Sequence, residues 1–147
     1  MTIYFYSTKG DYGCFSNFSG HPFKLKGKTW PTTEHYFQAQ KFAGAADEEE
    51  IRRTPSPMIA ARKGRSRKRP LRPDWEQVKD DIMREAVLAK FQQHDDLREM
   101  LLSTGDADIV EKTTRDYYWG CGNKGTGKNM LGRILMETRN ALRESAT

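Results

Sequence analysis

A chain of 147 residues, 36% hydrophobic and 31% charged, can bury a core without disulfide or metal staples, and none of its apolar runs approaches the ~18 residues of a membrane span. With no apolar leader segment and two cysteines, Cys14 and Cys121, it reads as one cytoplasmic domain over residues 1–147, its thiols reduced and its surface outside any membrane. The net charge of +5 favours anionic partners, phosphates or nucleic acid, without choosing between them.

From the N-terminus, Ile3 to Tyr6 is a short aromatic and β-branched run, a predicted strand, followed by a polar turn at Lys9 to Gly13. In Phe15-Ser-Asn-Phe18 two aromatics suited to a core bracket Ser16 and Asn17, which can face a cleft. Phe23 to Trp30 alternates apolar and polar residues around Lys26-Gly27, the pattern of a tight hairpin. The hairpin feeds the segment around which the chain is organised, Thr29 to Phe42, TWPTTEHYFQAQKF. Thr32 or Thr33 can cap a helix there, with Glu34 in its first turn, where a carboxylate suits the helix dipole. Glu34, Gln38 and Lys41 then stack at i, i+4 and i+7, opposite Tyr36, Ala39 and Ala43. Such a stripe is ordinarily solvated. Flanked by His35, Phe37 and Phe42 rather than by further charge, it reads instead as the wall of a cleft.

An acidic helix over 43–53, AGAADEEEIRR, ends at Thr54-Pro55, and Ser56-Pro57 restarts one through Met58 to Lys63, with serine as cap and proline at the first helical position. The basic run Arg62 to Arg72, RKGRSRKRPLR, is either a solvated loop or a lip that attracts phosphate. A long helix is predicted from Asp74 to about Gln93, with a capping-box-like pair at Asp74 and Gln77 and a stripe of Trp75, Val78, Ile82, Ala86 and Ala89. A further helix spans Asp95 to Ser103, a strand Asp108 to Lys112, and a last helix Met130 to Arg143.

Before that last helix lies a glycine-rich stretch, TTRDYYWGCGNKGTGKNMLG from Thr113 to Gly132. Its exposed N–H groups and the positive end of the following helix could cradle a phosphate, beside Asp116 and Trp119. Gly122 to Lys128 matches the phosphate-binding pattern of nucleotide hydrolases, but Asn129 stands where a magnesium-holding Ser or Thr is needed, and no later strand supplies an acidic metal holder. A nucleotide hydrolase is therefore excluded. His21, His35 and His94 are scattered and the cysteines lack ligand spacing, so no metal and no cofactor are expected.

Three blocks occur in order: Phe15-Ser-Asn-Phe18 before Pro22-Phe23, Trp30-Pro-Thr-Thr-Glu-His-Tyr-Phe-Gln-Ala-Gln-Lys41, and Trp119-Gly with Gly127-Lys-Asn-Met-Leu-Gly132. Together they resemble the NADAR family, and within it the YbiA-like N-glycosidases of riboflavin intermediates, over nearly the whole chain. The resemblance implies a compact, mainly helical α+β fold with a few short N-terminal and late strands. It implies hydrolysis of a ribose C1′–N bond in a small ribosylamine phosphate, or in ADP-ribose attached to guanine, which would make nucleic acid a partner only as an ADP-ribosylated substrate. It puts the family's acidic residue on Glu34, its helix lysine on Lys41, its acidic loop residue on Asp116 and its tryptophans on Trp75 and Trp119.

Two routes then stay open. Glu34 or Asp116 activates water against an oxocarbenium-like centre, or Lys41 attacks the ring-opened sugar as a neutral amine and forms a Schiff base. Trp75 or Trp119 would stack the base. Asn17, Arg62, Lys128, Asn129 and the backbone around Gly120 and Gly125 would hold the rest of the substrate. The rival reading is a binding module for ADP-ribose or an NAD-derived nucleotide, without catalysis.

Overall fold

A computed structural model describes residues 1–145. Six α-helices and four short strands lie within them, a mainly helical α+β protein as the sequence predicts. By packing, the chain divides into one unit formed by Gly20–Lys90 and another formed by Met1–Ser19 with the chain from Phe91 onward.

In the first unit, β2 (Phe23–Leu25) and β3 (Lys28–Trp30) pair antiparallel, Phe23 opposite Trp30. The turn between them needs positive φ at both central residues, and Lys26 and Gly27 adopt 54° and 73°, the geometry that matches strand twist. Trp30 is fully buried and its indole N–H donates to the Leu25 carbonyl at 2.9 Å. This hairpin delivers the chain into α1 (Thr33–Gln40), with Thr32 as its cap.

The Thr32 hydroxyl accepts from the His35 backbone N–H at 3.1 Å and lies 2.8 Å from His35 Nδ1, while His35 Nε2 is 3.0 Å from the Thr54 carbonyl. A carbonyl can only accept, so the ring proton sits on Nε2 and Nδ1 accepts from Thr32. Burial holds the imidazole below its ordinary pKa, in the neutral form this arrangement needs. His35 thus clamps the start of α1 to Thr54 rather than flanking a cleft.

All eight residues of α1 are buried. The helix packs on β3, on α2 (Ala46–Arg52) and on α3 (Pro57–Gly64), so its polar side chains find partners inside the protein. Gln40 donates to Glu48 at 2.7 Å and accepts from Lys26 at 3.1 Å. Tyr36 meets Trp30 edge-on and donates to Glu85 of α4 (Trp75–Gln93). Ser56 caps α3 through the Ile59 N–H, with Pro57 at its first position. Along α4 the predicted stripe is buried except for half-buried Val78. Before α4 the Asp74 carboxylate takes two bonds from the Arg72 guanidinium, and the Gln77 N–H donates to the Asp74 carbonyl at 3.0 Å.

In the second unit, β1 (Thr2–Phe5) runs parallel to β4 (Asp108–Glu111), Ile3 opposite Ile109. Phe15 is buried between Phe5 and Phe91, whereas Phe18 is only half-buried. After α5 (Asp95–Ser103), α6 (Met130–Ser145) packs on both α5 and β4 through a face that includes Leu131, Ile134, Leu135 and Leu142. Among the described residues no helix is long and apolar enough to cross a membrane.

Candidate active site

The unit of residues 20–90 contains a cleft of about 480 Å³ whose lining includes Lys41, Gly64, Arg65, Arg67, Arg69 and Trp75. Lys41 is the C-cap of α1, so the central helix ends by handing its last side chain to the cleft. Its Nζ donates to the Gly64 carbonyl at 3.3 Å and lies 5.9 and 5.8 Å from the ring centres of Phe37 and Trp75. Those two rings meet edge to face at 5.0 Å. Aromatic faces stabilise an ammonium, but they replace little of its hydration. Burial therefore pulls the amine down from 10.5 to about 8, the Glu34 carboxylate opposes the shift, and the Arg65 and Arg67 charges add to it.

Glu34, 6% exposed, lies behind this amine rather than in the lining of the cleft. Its Oε2 accepts from Gln38 Nε2 at 2.8 Å. Gln38 in turn rests directly on Gly64, where an added Cβ would come within 2.1 Å of Gln38 Oε1. The i, i+4, i+7 stripe is therefore a connected row from Glu34 through Gln38 and Gly64 to Lys41. Only a glycine at position 64 lets α3 approach α1 closely enough to close it.

The basic run resolves into side chains with different duties. Arg69 pairs with Asp47 at 2.6 Å and Glu50 at 2.5 Å, and Lys63 with Glu50 at 3.5 Å. Arg72 pairs with Asp74 while its backbone N–H donates to the Lys41 carbonyl at 3.0 Å, closing the end of α1. Arg62, for which the sequence suggests a phosphate role, is exposed and lies outside the lining of this cleft. Arg65 and Arg67 line the cleft, and neither has an acidic partner among the described residues. Trp75, readable from sequence as core or as a stacking platform, is both buried and part of the lining.

In the other unit the glycine-rich stretch is tied to itself. The N–H groups of Gly125, Gly127, Lys128, Asn129, Met130 and Leu131 donate to the carbonyls of Gly122, Cys121, Tyr117, Gly120, Tyr118 and Trp119. These six amides, including those at the start of α6, already have carbonyl partners within the loop. The Asp116 Oδ1 accepts from the Tyr118 and Trp119 N–H groups at 3.0 and 2.8 Å, an Asx turn that shapes the loop.

Asn129, at φ 54°, bonds the backbone of β4 on both sides, accepting from Glu111 N–H and donating to the Ile109 carbonyl. Its substitution for the metal-holding Ser or Thr thus has a structural reason. Gly120 is buried against Thr113, Gly125 is exposed at φ 72°, and Lys128 is exposed with its Nζ over the Tyr118 ring. Trp119 and Asn17 are half-buried. Among the described residues no group of three His, Cys, Asp or Glu side chains is placed to hold a metal ion.

A mainly helical α+β scaffold whose first central helix presents an acid, an amide and a depressed lysine matches one known class of domain. The NADAR domain model matches residues 4–143, and the chain belongs to the NADAR family. It is 59% identical over 140 residues to the N-glycosidase YbiA of Escherichia coli, covering 95% of this chain and 88% of that protein. The NMR structure of E. coli YbiA superposes with a TM-score of 0.91 at 57% identity, over 99% of this chain and 86% of that one. The chain is also 41% identical, over 95% of its own length, to a part amounting to 25% of the maize chloroplast riboflavin biosynthesis protein PYRR. Family and relatives place the chain among the N-glycosyl hydrolases.

Proposed function

We propose that the enzyme hydrolyses the ribose C1′–N bond of phosphorylated ribosylamines, with the ribosylaminopyrimidine phosphates of riboflavin synthesis as the first substrate class. The observation that carries this reading is Lys41, an amine half-buried against two aromatic rings in a cleft lined by several arginines, with its pKa lowered to about 8. At pH 7.4 about 20% of such an amine is neutral, against about 0.1% of an ordinary lysine.

A ribosyl group on an exocyclic amine opens to an imine when the ring oxygen leaves C1′ and takes up a proton. The neutral Lys41 amine then adds to C1′. The aminopyrimidine departs with the bonding electrons and a proton, which Glu34 relays, and leaves a Schiff base between C1′ and Nζ. Water adds to that imine, releases the sugar phosphate as its aldehyde, and restores Lys41. Trp75 supplies a face for the departing base. ADP-ribosylated guanine is the second substrate class, since it offers the same C1′–N linkage and a pyrophosphate suited to a cationic cleft.

The test is incubation with a ribosylaminopyrimidine phosphate and with ADP-ribosylated guanine, borohydride trapping, and peptide mapping. A sugar adduct on Lys41, and loss of base release in Lys41→Ala, are expected. Base release undiminished in Lys41→Ala would leave the water route standing instead. No base release from either substrate, together with ligand binding, would make the domain a reader.

A further inference from the structure

The cleft separates two cations from a run of many. Of the basic residues from 62 to 72, Lys63, Arg69 and Arg72 are held by acids of their own unit, and Arg62 and Lys68 lie outside the cleft lining. Arg65 and Arg67 remain, flanking Ser66. All three line the cleft, and among the described residues the two guanidiniums have no acidic partner.

We infer that Arg65 and Arg67 recognise the phosphate of the substrate and make the enzyme selective for phosphorylated over unphosphorylated ribosyl groups. This inference rests on the N-glycosidase reading of the same cleft. Arg65 is the C-cap of α3 and its backbone N–H is fixed to the Ala61 carbonyl at 3.0 Å. The Arg65 backbone is thus fixed at a helix end, while its guanidinium has no acidic partner among the described residues. Gly64, whose carbonyl receives Lys41, is the neighbouring residue in sequence. The amine proposed to attack C1′ and the two guanidiniums proposed to hold phosphate thus line one cleft, next to each other along the end of α3.

Planar guanidiniums pair with phosphate oxygens through two N–H groups each, geometry that a lysine lip would lack. Arg69 serves a different end, fastening the lip to α2 through Asp47 and Glu50 so that the other two arginines do not fold back onto those acids.

The test compares borohydride capture of ribose 5-phosphate with that of ribose, scored as adduct on the Lys41 peptide. The wild-type enzyme should prefer the phosphorylated sugar by about 100-fold or more, as expected for charge-assisted bonds from two arginines. In Arg65→Ala/Arg67→Ala the preference should fall at least tenfold, while Lys68→Ala, which removes an exposed charge of the same run, should keep it. An equal fall in Lys68→Ala would make the effect one of diffuse charge and overturn the assignment, as would an unchanged preference in the double variant.

Inorganic pyrophosphate binding, followed by calorimetry, gives an independent reading. It should weaken at least tenfold in the double variant even if neither sugar is captured on Lys41. In that event the Schiff-base reading fails and the phosphate site stands. Unaltered pyrophosphate binding in the double variant would remove the site.

Discussion

Titrating the enzyme from about pH 6 to about pH 10 should reveal Lys41 as a base that loses its proton near neutrality. Burial beside Phe37 and Trp75, with the charges of Arg65 and Arg67 nearby, moves the amine from 10.5 to about 8. That difference corresponds to about 2–3 kcal/mol between its two protonation states once residual solvent screening is discounted. Below pH 8 the neutral fraction grows about tenfold per pH unit and then levels. Base release under kcat/KM conditions should follow the same curve.

The assay that isolates the group is competitive modification by a small acylating reagent, quantified on the Lys41 peptide, because it works even where turnover is lost. Removing Glu34, whose charge holds the lysine pKa up, should move the limb to lower pH in Glu34→Gln. Removing Arg65 and Arg67, which push it down, should move the limb to higher pH. A limb near the ordinary lysine value, or one that shifts in the same direction in both variants, would refute the electrostatic account of the site.

Lys41→Met should abolish base release yet raise stability near pH 7 by about 1–2 kcal/mol, the burial penalty discounted for residual solvent contact. The folded pKa lies below the unfolded one, so the unfolded chain holds more protons between about pH 8 and 10.5 and wild-type stability climbs through that window. The advantage of the variant in thermal melts should therefore shrink as pH rises. Gly64→Ala would put a methyl group 2.1 Å from Gln38 Oε1. It should cost about 1–3 kcal/mol in denaturant unfolding and weaken activity by displacing the Gln38 bond to Glu34. Asp116→Asn keeps an oxygen for the Tyr118 and Trp119 amides and should melt close to wild type, while Asp116→Ala loses about 1–2 kcal/mol. A large rate loss in Asp116→Asn with unchanged melting would assign that carboxylate to the reaction, and an unchanged rate would confine it to the loop.

Much of the scaffold is legible along the chain because its signals are local. A positive-φ pair at Lys26-Gly27, a cap at Thr32, a Ser56-Pro57 restart and the periodicity of α4 and α6 each depend on a few adjacent residues, and each element forms where those residues put it. The likeness of Glu34, Lys41 and Trp119 to NADAR motifs is equally a property of the sequence. What spacing could not assign is the use of each polar group. His35 and Asn129 resemble site residues but bond to the backbone of distant segments, and the loop amides are used by carbonyls folded back onto them.

The basic run carries its charge in the sequence. Which of those charges are neutralised depends on α2 lying alongside to supply Asp47 and Glu50. The proton affinity of Lys41 is likewise undefined until Phe37, Gly64 and Trp75 exclude water from it, because desolvation belongs to an assembled environment and not to a residue type. The sequence therefore determined the helices, the hairpin and the family. Tertiary packing alone decided which lysine has a lowered proton affinity and which two arginines line the cleft without an acidic partner among the described residues.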